Sequence, residues 1–225
     1  MAHEFRDKLT SDGWVLIPAG AFAPADSMEL ATYWEDLPVD RYLTERCRFR
    51  RFGRCRMAGE DIQWLPPSTF LQSKQYNSVF GGRERSFAPL TSQFIESHVL
   101  SRITRTLFET LSPLLGGAAD VGVHQLSVSP RSEPTAVVPE GPHRDGFKYI
   151  TIQLIRLQNI RADSAVSTVL NPHDLSPLFS HRLVHPMECL LIDDERVWHD
   201  CSPALADGHG GARRDVMVQT WSLAG

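Results

Sequence analysis

The hydrophobic positions divide the chain into a mixed N-terminal part and a strand-rich C-terminal part. Near the N-terminus, the apolar run over residues 14–18 predicts a strand, and residues 25–38 predict a helix that ends at a proline. Arginine alternates with apolar or small residues over Cys47–Met57, which predicts a strand with one basic side. Apolar residues at helical spacing then predict a long helix over residues 92–117.

From residue 118 onward the pattern changes to short segments that are rich in β-branched residues. They are separated by Pro, Gly, Asp and Asn, which is typical of short strands joined by turns. Such strands form an all-β sandwich or barrel. We therefore expect an α+β, mainly β fold in which N-terminal helices pack on a jelly roll, and we expect residues 1–225 to form a single domain.

The composition and the charge narrow the classes of function. Apolar residues make up 42% of the chain and charged residues 22%, as in ordinary globular proteins. The net charge of −4 argues against a nucleic-acid partner, which usually requires a basic surface. No apolar run is long enough to span a membrane, and the first residues lack the apolar core of a signal peptide. We therefore expect a cytoplasmic protein with no membrane partner. The four cysteines form no CxxC pair, and we expect them to be free thiols.

A His-x-Asp cluster gives the chain its candidate chemistry. His143 and Asp145 stand in PEGPHRDGF at the start of a predicted strand, and residues two apart in an extended chain point to the same side. His199, in LIDDERVWHD, is the candidate for a third ligand. Two imidazoles and one carboxylate form the facial triad of non-haem Fe(II) oxygenases, which leaves positions open for a bidentate co-substrate and dioxygen. On this pattern alone, a hydrogen-bonded His–Asp pair remains an equal alternative.

The last predicted strand begins with two arginines. An iron-bound 2-oxo acid with a distal carboxylate requires a cation near the metal, and the planar fork of arginine binds a carboxylate bidentately. By strand parity, Arg214 shares a side with the smaller residues Val216, Val218 and Thr220, which suit the inside of a barrel. We therefore favour Arg214 over Arg213 as this cation. The alternative is a solvated pair of arginines at a strand end.

Several motifs together resemble a known family. They are LPVDRYLTERCRFRRFGRCRM, QSKQYNSVFGGRERSFAPL, VHQLSV, PEGPHRDGF, LIDDERVWHDCSP and RRDVMVQTW, spread over about residues 37–221. In these motifs the chain is similar to the small bacterial 2-oxoglutarate/Fe(II)-dependent dioxygenases that hydroxylate free L-amino acids, a family that includes L-isoleucine 4-hydroxylase. The resemblance implies that His143, Asp145 and His199 are the catalytic iron ligands and that Arg214 binds 2-oxoglutarate. It also implies a cupin-like double-stranded β-helix and a requirement for Fe(II), 2-oxoglutarate and O₂.

The chain departs from the family pattern at two places. Relatives carry a Gly-Gly-x-Ser segment after the strand that follows the His-x-Asp motif, where this chain has IRADSAVSTVL. Relatives tend to have Arg two residues after the Gln of VHQ, where this chain has Ser127. We expect both changes to lie near the pocket, and therefore expect a side chain other than that of isoleucine to be preferred.

The polar residues outside the triad supply candidates for binding the substrate. A buried amino acid requires partners for both its carboxylate and its ammonium. From a pool of arginines and polar residues we rank Arg50, Tyr76, Asn77 and then His124. For each of them, a solvated surface position or a structural hydrogen bond is the alternative.

The leading hypothesis is an enzyme that hydroxylates an unactivated C–H bond of a small-molecule amino acid, with succinate and CO₂ as co-products. The carboxylate of Asp145 favours hydroxylation over halogenation, because related halogenases lack it. Three alternatives stay open: the same iron chemistry diverted to desaturation or cyclisation, a cupin-like module that binds a metal or a ligand without redox chemistry, and a zinc-dependent hydrolase or isomerase. The sequence does not specify the amino acid, the carbon attacked or the oligomeric state.

Overall fold

The computed structural model describes residues 1–23, 26–43, 45–77, 79–131, 133–208 and 210–225. Within these ranges the helices are α1 (Ala2–Asp12), α2 (Asp26–Thr32), α3 (Ser92–Ile95) and α4 (His98–Leu111), with short 3-10 helices at Ala19–Ala21 and Ser112–Leu114. The strands are β1 (Trp14–Ile17), β2 (Arg48–Ala58), β3 (Asp61–Trp64), β4 (Ala88–Pro89), β5 (Ala118–Val128), β6 (Tyr149–Gln158), β7 (Ser167–Leu170), β8 (Pro177–His181), β9 (Cys189–Asp193), β10 (Trp198–Cys201) and β11 (Arg213–Leu223).

The strands form two sheets. The major sheet has the order β1-β9-β6-β11-β5-β2-β3, with β4 added in parallel beside β2, and the minor sheet has the order β10-β7-β8. Apart from the β2–β4 pair, these neighbours are antiparallel. Apolar residues of both sheets pack together in one cluster, with Ile150 and Ile192 from the major sheet and Val169 from the minor one. The result is the expected jelly roll, with the helices on its outside.

The two faces of the major sheet have different neighbours, because successive side chains of a strand point to opposite sides. One face, here called the helix-side face, packs against α2, α3 and α4; Met217 and Trp221 of β11 join Leu107 and Leu111 of α4 in the largest apolar cluster. Each such fully buried side chain contributes about 1.5–3 kcal/mol relative to an exposed one. The other face, here called the cavity-side face, looks toward the minor sheet across a cavity of about 100 Å³.

Most elements predicted from the sequence are present, but the long helix over residues 92–117 is interrupted. It divides into α3 and α4 because Ser97 has extended backbone angles and its Oγ accepts hydrogen bonds from the N–H groups of Val99 and Leu100. This is the role of an N-cap, which starts a new helix. The predicted helix over residues 25–38 is also shorter, since α2 ends at Thr32 and residue 25 lies outside the described ranges.

In the part of the chain that is described, no helix is long and apolar enough to cross a membrane.

Candidate active site

His143 and His199 are placed side by side by the backbone. Each donates its N–H to the carbonyl of the other, at 3.0 Å in both directions, which makes an isolated antiparallel bridge between β10 and the segment that precedes β6. Directly opposed residues of such a bridge project to the same face. The two imidazole rings consequently lie with their centroids 4.2 Å apart, and both residues are buried.

Asp145 completes a three-residue cluster at the end of the cavity. Its Oδ1 lies 3.9 Å from Nε2 of His143, and its Oδ2 lies 3.5 Å from Nε2 of His199. One ligand atom from each of the three residues falls within 4.8 Å of the others. Two imidazole nitrogens and a carboxylate oxygen at this spacing form a donor set suited to a non-haem Fe(II) ion.

The outer nitrogen of His143 has a hydrogen-bond partner that orients its ring, and that of His199 faces a carboxylate at a longer distance. Nδ1 of His143 lies 2.8 Å from the carbonyl oxygen of Gly141, which can only accept, so Nδ1 carries the proton and Nε2 has its lone pair free. Nδ1 of His199 lies 3.6 Å from Oδ1 of Asp194. A hydrogen bond of the kind that His143 makes fixes the tautomer of a metal-binding histidine, whereas Nδ1 of His199 is buried without a hydrogen bond. The three side chains therefore fit a metal ion in donor type, spacing and orientation.

Electrostatics within the cluster favour a bound cation. Burial alone would raise the pKa of Asp145, but the hydrogen bond from His199 and the charges of both histidines lower it. Burial acts to lower the pKa of His199, but the neighbouring Asp145 outweighs burial and the pKa is raised. In His143, burial and the neighbouring His199 both lower the pKa. The cluster thus stabilises an ionised carboxylate beside one shared positive charge, and a divalent ion would replace that proton.

The loop after Asp145 is held by a second carboxylate. The fully buried Asp194 accepts the backbone N–H groups of Asp145, Gly146 and Phe147 at 2.7–3.2 Å. Burial, followed by the charge of Asp145, raises the pKa of Asp194 to about 6. Gly146 has φ of +83°, and a Cβ there would lie 2.5 Å from the ring of Tyr76. The sequence HRDG therefore requires its glycine both for the turn and for this close contact.

The carboxylate of Asp145 is also oriented from the cavity side, by Gln72. Nε2 of Gln72 donates to Oδ1 of Asp145 at 2.7 Å. Oε1 of Gln72 accepts from Arg85 at 2.6 Å and from Asn77 at 3.1 Å, and the same Asn77 amide donates to Glu140 at 2.8 Å. This chain of hydrogen bonds links the cationic part of the cavity to the candidate metal ligand.

Arg214 and Arg213 lie on opposite faces of β11. Arg214 is 3% exposed and lines the cavity beside Ser167 and Cys201 of the minor sheet. Among the described residues its guanidinium has no hydrogen-bond or ion-pair partner. Arg213 lies on the helix-side face, where it pairs with Asp215 and Glu35. The position of Arg214 is the one that the sequence predicted for the cation that binds 2-oxoglutarate.

Arg50 and His124, two of the predicted substrate residues, are brought together in the cavity. Arg50 donates to Nδ1 of His124 at 2.8 Å, so the proton of His124 resides on Nε2, which is buried without a hydrogen-bond partner. Burial and the charge of Arg50 keep the pKa of His124 well below its usual range, so this ring is neutral. Burial and the nearby Arg48 and Arg85 lower the pKa of Arg50 to about 9, which leaves it charged at neutral pH.

Tyr76 and Asn77 lie next to the cavity rather than in its wall. The ring of Tyr76 covers Gly146. Oδ1 of Asn77 accepts the N–H groups of Val79 and Phe80, and its amide joins the Gln72–Glu140 network. The structure thus gives Asn77 a loop-shaping role, and substrate contact by these two residues stays a prediction.

The expectation that Ser127 lies near the pocket is wrong. Leu126 and His124 face the cavity, so the alternation of β5 turns Ser127 to the helix-side face. There its Oγ accepts a hydrogen bond from Nε of Arg213 at 3.2 Å. The other departure does reach the cavity, through Ser167 of the SAVST segment.

Several cavity and support residues were not singled out from the sequence, namely Asp40, Gln72, Glu140, Asp194 and Ser167. Gln72 and Glu140 lie in loops, where no periodicity indicates which side chains turn inward. For Asp194 a signal existed, because two adjacent carboxylates end the apolar run LLIDD. Arg48 and Arg85 were in the pool of candidates but unranked, and both line the cavity.

The comparisons with known proteins agree with this geometry. A sequence model of the family described as 2OG-Fe dioxygenase matches residues 31–220. The chain is 25% identical to the L-isoleucine-4-hydroxylase of Bacillus thuringiensis over 185 residues, which cover 78% of this chain and 75% of that protein.

Solved structures show the same fold. A bsmA homologue from Methylobium petroleophilum superposes with a TM-score of 0.89 at 25% identity, covering 100% of this chain and 94% of that one. The structure of IDO from Bacillus thuringiensis superposes with a TM-score of 0.85 at 19% identity, with both chains fully covered. Proteins of the matched family are enzymes that use Fe(II), 2-oxoglutarate and O₂, and the triad of His143, Asp145 and His199 supplies the metal ligands such chemistry requires. This chain belongs to the 2OG-Fe dioxygenase family.

Proposed function

We propose that this protein hydroxylates an unactivated C–H bond of a free L-amino acid, with 2-oxoglutarate and O₂ consumed and succinate and CO₂ released. The observation that carries the proposal is that three groups of residues line the same cavity. The triad and the unpaired Arg214 line it together, and a second group of cations around Arg50 lines it from β2, separated from Arg214 on β11 by the strand β5. Two separate cationic regions beside one metal site suit two separate anionic molecules.

The first region would hold the co-substrate. Nε2 of His143, Nε2 of His199 and the carboxylate of Asp145 would bind Fe(II), which supplies the redox chemistry that joins 2-oxoglutarate decarboxylation to C–H oxidation. Arg214 would hold the distal carboxylate of 2-oxoglutarate in a bidentate, charge-assisted pair. The Oγ of Ser167 is buried beside it without a hydrogen-bond partner and can donate to the same carboxylate.

The second region would hold the amino acid. Arg50 provides a buried positive charge for the α-carboxylate, with the neutral Nε2–H of His124 as a second donor. Asp40 and Glu140 provide acceptors for the ammonium group at the cavity wall. Because each end of the zwitterion has a partner, neither charge of the amino acid backbone would be left unpaired in the cavity. The similarity to L-isoleucine-4-hydroxylase supports the same class of substrate.

A panel of free L-amino acids tests the proposal. Purified protein with Fe(II), 2-oxoglutarate and air should form succinate at a rate that one or more of the free acids stimulates. Mass spectrometry of the product should show a gain of one oxygen; a loss of two hydrogens would indicate desaturation or cyclisation instead. The Asp145→Ala variant is the control for protein-dependent turnover. If only N-acylated or carrier-bound amino acids reacted, the assignment of a free amino acid would be overturned.

A further inference from the structure

The cavity region that is separated from Arg214 by the strand β5 contains an unusual concentration of positive charge. Arg48 and Arg50 of β2 and Arg85 from the loop before β4 all line it, and we call these three residues the arginine lobe. The guanidinium of Arg50 lies 4.0 Å from the ring centre of Phe87 and 5.2 Å from that of Phe70. The guanidinium of Arg85 lies 5.2 Å from Phe70 and 5.5 Å from Phe87. Two of the three cations therefore share the same pair of aromatic walls.

The hydrogen-bonding capacity of the arginine lobe is mostly unused. Each guanidinium offers five N–H donors. Yet Arg48 bonds through one nitrogen to the carbonyl of Val137, Arg50 through one to His124, and Arg85 through one to Gln72. The Nε of all three is buried without a partner. Among the described residues, no carboxylate lies within ion-pair distance of any of them, although Arg50 and Arg85 are only 7% and 4% exposed.

Such a group of cations is unfavourable unless an anion joins it. Burying a charge without a counter-ion is costly, and like charges held close together add to this cost. The ring faces of Phe70 and Phe87 offset a part of it through cation–π contacts. Asp40 and Glu140 lie in the same region, but one oxygen of each is already used, by the N–H of Tyr42 and by the amide of Asn77. The lobe is therefore complementary to a ligand with more than one negative group.

A monocarboxylic amino acid would not match it. The α-carboxylate would pair with one guanidinium or bridge two, while the ammonium would take up Asp40 or Glu140. At least one buried arginine would then remain without an anion. Arg48 and Arg50 are two residues apart on one side of β2, so their Cα atoms are separated by about 7 Å along the strand. Guanidinium groups spread over this distance can meet two carboxylates of a single small molecule.

We infer that the preferred substrate is an amino acid with a second carboxylate in its side chain, that is, an acidic amino acid. The α-carboxylate and the side-chain carboxylate are shared among Arg48, Arg50 and Arg85, and Asp40 or Glu140 accepts from the ammonium. This inference rests on the proposed function and specifies its substrate class. It differs from the apolar side chain of the substrate named for the B. thuringiensis relative.

Isosteric pairs of substrates test this on the unmodified enzyme. At saturating 2-oxoglutarate, kcat/KM for amino-acid-stimulated succinate formation is measured with aspartate against asparagine, glutamate against glutamine, and both acids against leucine and isoleucine. We expect the better acid to exceed its amide and the aliphatic residues by about 30-fold or more, because each neutral analogue leaves a buried guanidinium unpaired. A higher kcat/KM for an amide or an aliphatic amino acid would overturn the inference and leave the proposed function intact. Absence of stimulation by every free amino acid would overturn the proposed function itself.

A matched pair of variants locates the effect. Arg48→Met removes one cation of the lobe and should reduce the acid-over-amide ratio by about 10-fold or more, with little change in the 2-oxoglutarate requirement. Arg51→Met is the control, because Arg51 lies on the other side of the same strand and bonds only the carbonyls of Asp36 and Pro89; it should keep the wild-type ratio. If Arg48→Met instead raised the 2-oxoglutarate requirement and left the ratio unchanged, the lobe would bind the co-substrate and the inference would fail. The wild-type measurements decide the question even if Arg48→Met does not fold.

Discussion

Arg213 and Arg214 are neighbours on β11, but their guanidinium groups lie in opposite electrostatic settings. On the helix-side face, Arg213 and Arg156 both pair with the fully buried Asp215, and both also reach Glu35. On the cavity-side face, Arg214 has no such partner among the described residues, and neither do the three arginines of the lobe. One face thus pairs its arginines with carboxylates of the protein, whereas the arginines of the other face have no carboxylate partner among the described residues.

The difference separates stability from function. Breaking a buried ion pair from one side is strongly destabilising, because the remaining charge loses its counter-ion. Removing a charge that awaits a ligand does not have this effect on the free protein, but it weakens ligand binding. Substitutions on the two faces should therefore be distinguishable by which measurement they change.

The largest expected effect comes from the triad at the end of the cavity-side face. Replacing His143, Asp145 or His199 by Ala should each abolish turnover, because two remaining ligands hold a metal ion weakly and in the wrong geometry. The fold should persist, as judged by circular dichroism and the unfolding midpoint, because the removed groups belong to no apolar cluster of the core. Normal hydroxylation by Asp145→Ala would rule out the triad as the metal site.

The next effect separates the two neighbouring arginines. Arg214→Ala should raise the 2-oxoglutarate concentration required for half-maximal turnover by a factor of about 30 or more, with a much smaller change for the amino acid, since a buried charge-assisted pair contributes about 2–5 kcal/mol. Arg213→Ala is the matched control and should leave the 2-oxoglutarate requirement near that of the wild type. A large increase for Arg213→Ala alone would show that the inward side of β11 has been assigned wrongly.

On the helix-side face the effect should appear in stability instead. Asp215→Asn leaves Arg156 and Arg213 without their shared buried counter-ion, and we expect a loss of about 3 kcal/mol in the free energy of unfolding, measured with urea. The control, Asp163→Asn, removes an exposed partner of Arg161 and should leave the free energy of unfolding close to that of the wild type. An Asp215→Asn variant with wild-type stability but a raised 2-oxoglutarate requirement would contradict the division between the faces.

The smallest effect concerns a pair at the sheet surface. Arg56 forms a two-pronged pair with Asp120, which joins β2 to β5 at 2.8 and 3.1 Å, but the side chain of Arg56 is 41% exposed. Water and salt screen such a pair, so Asp120→Asn should cost no more than about 1 kcal/mol in the free energy of unfolding. A cost equal to that of Asp215→Asn would mean that burial is not what distinguishes the two networks.

Strand parity predicted much of the site from the sequence. The two-residue spacing of His143 and Asp145 and the position of Arg214 before alternating small residues follow directly from the geometry of an extended chain. The same rule places Ser127 away from the cavity, because it is one residue from Leu126; nearness in sequence to a motif is not nearness in space. The inward positions of Arg50 and His124 could also be predicted from the sequence, since both residues lie in regular strands.

Other parts of the site had no such signal. Gln72 reaches Asp145 from a loop 73 residues earlier in the chain, a contact that depends on the loop path and not on any local period. The break between α3 and α4 was hidden because Phe94 and Ile103 both face the same apolar cluster, so the hydrophobic spacing continues across the cap at Ser97.

The most direct test of the account is an anaerobic titration of 2-oxoglutarate into the protein with Fe(II), followed by visible absorption. The account predicts a charge-transfer band that saturates with 2-oxoglutarate in the wild type and in Arg213→Ala, requires far more 2-oxoglutarate in Arg214→Ala, and is absent in Asp145→Ala. Zn(II) in place of Fe(II) should give no band. A wild-type protein that binds Fe(II) and 2-oxoglutarate without this band, or a band that persists unchanged in Asp145→Ala, would contradict it.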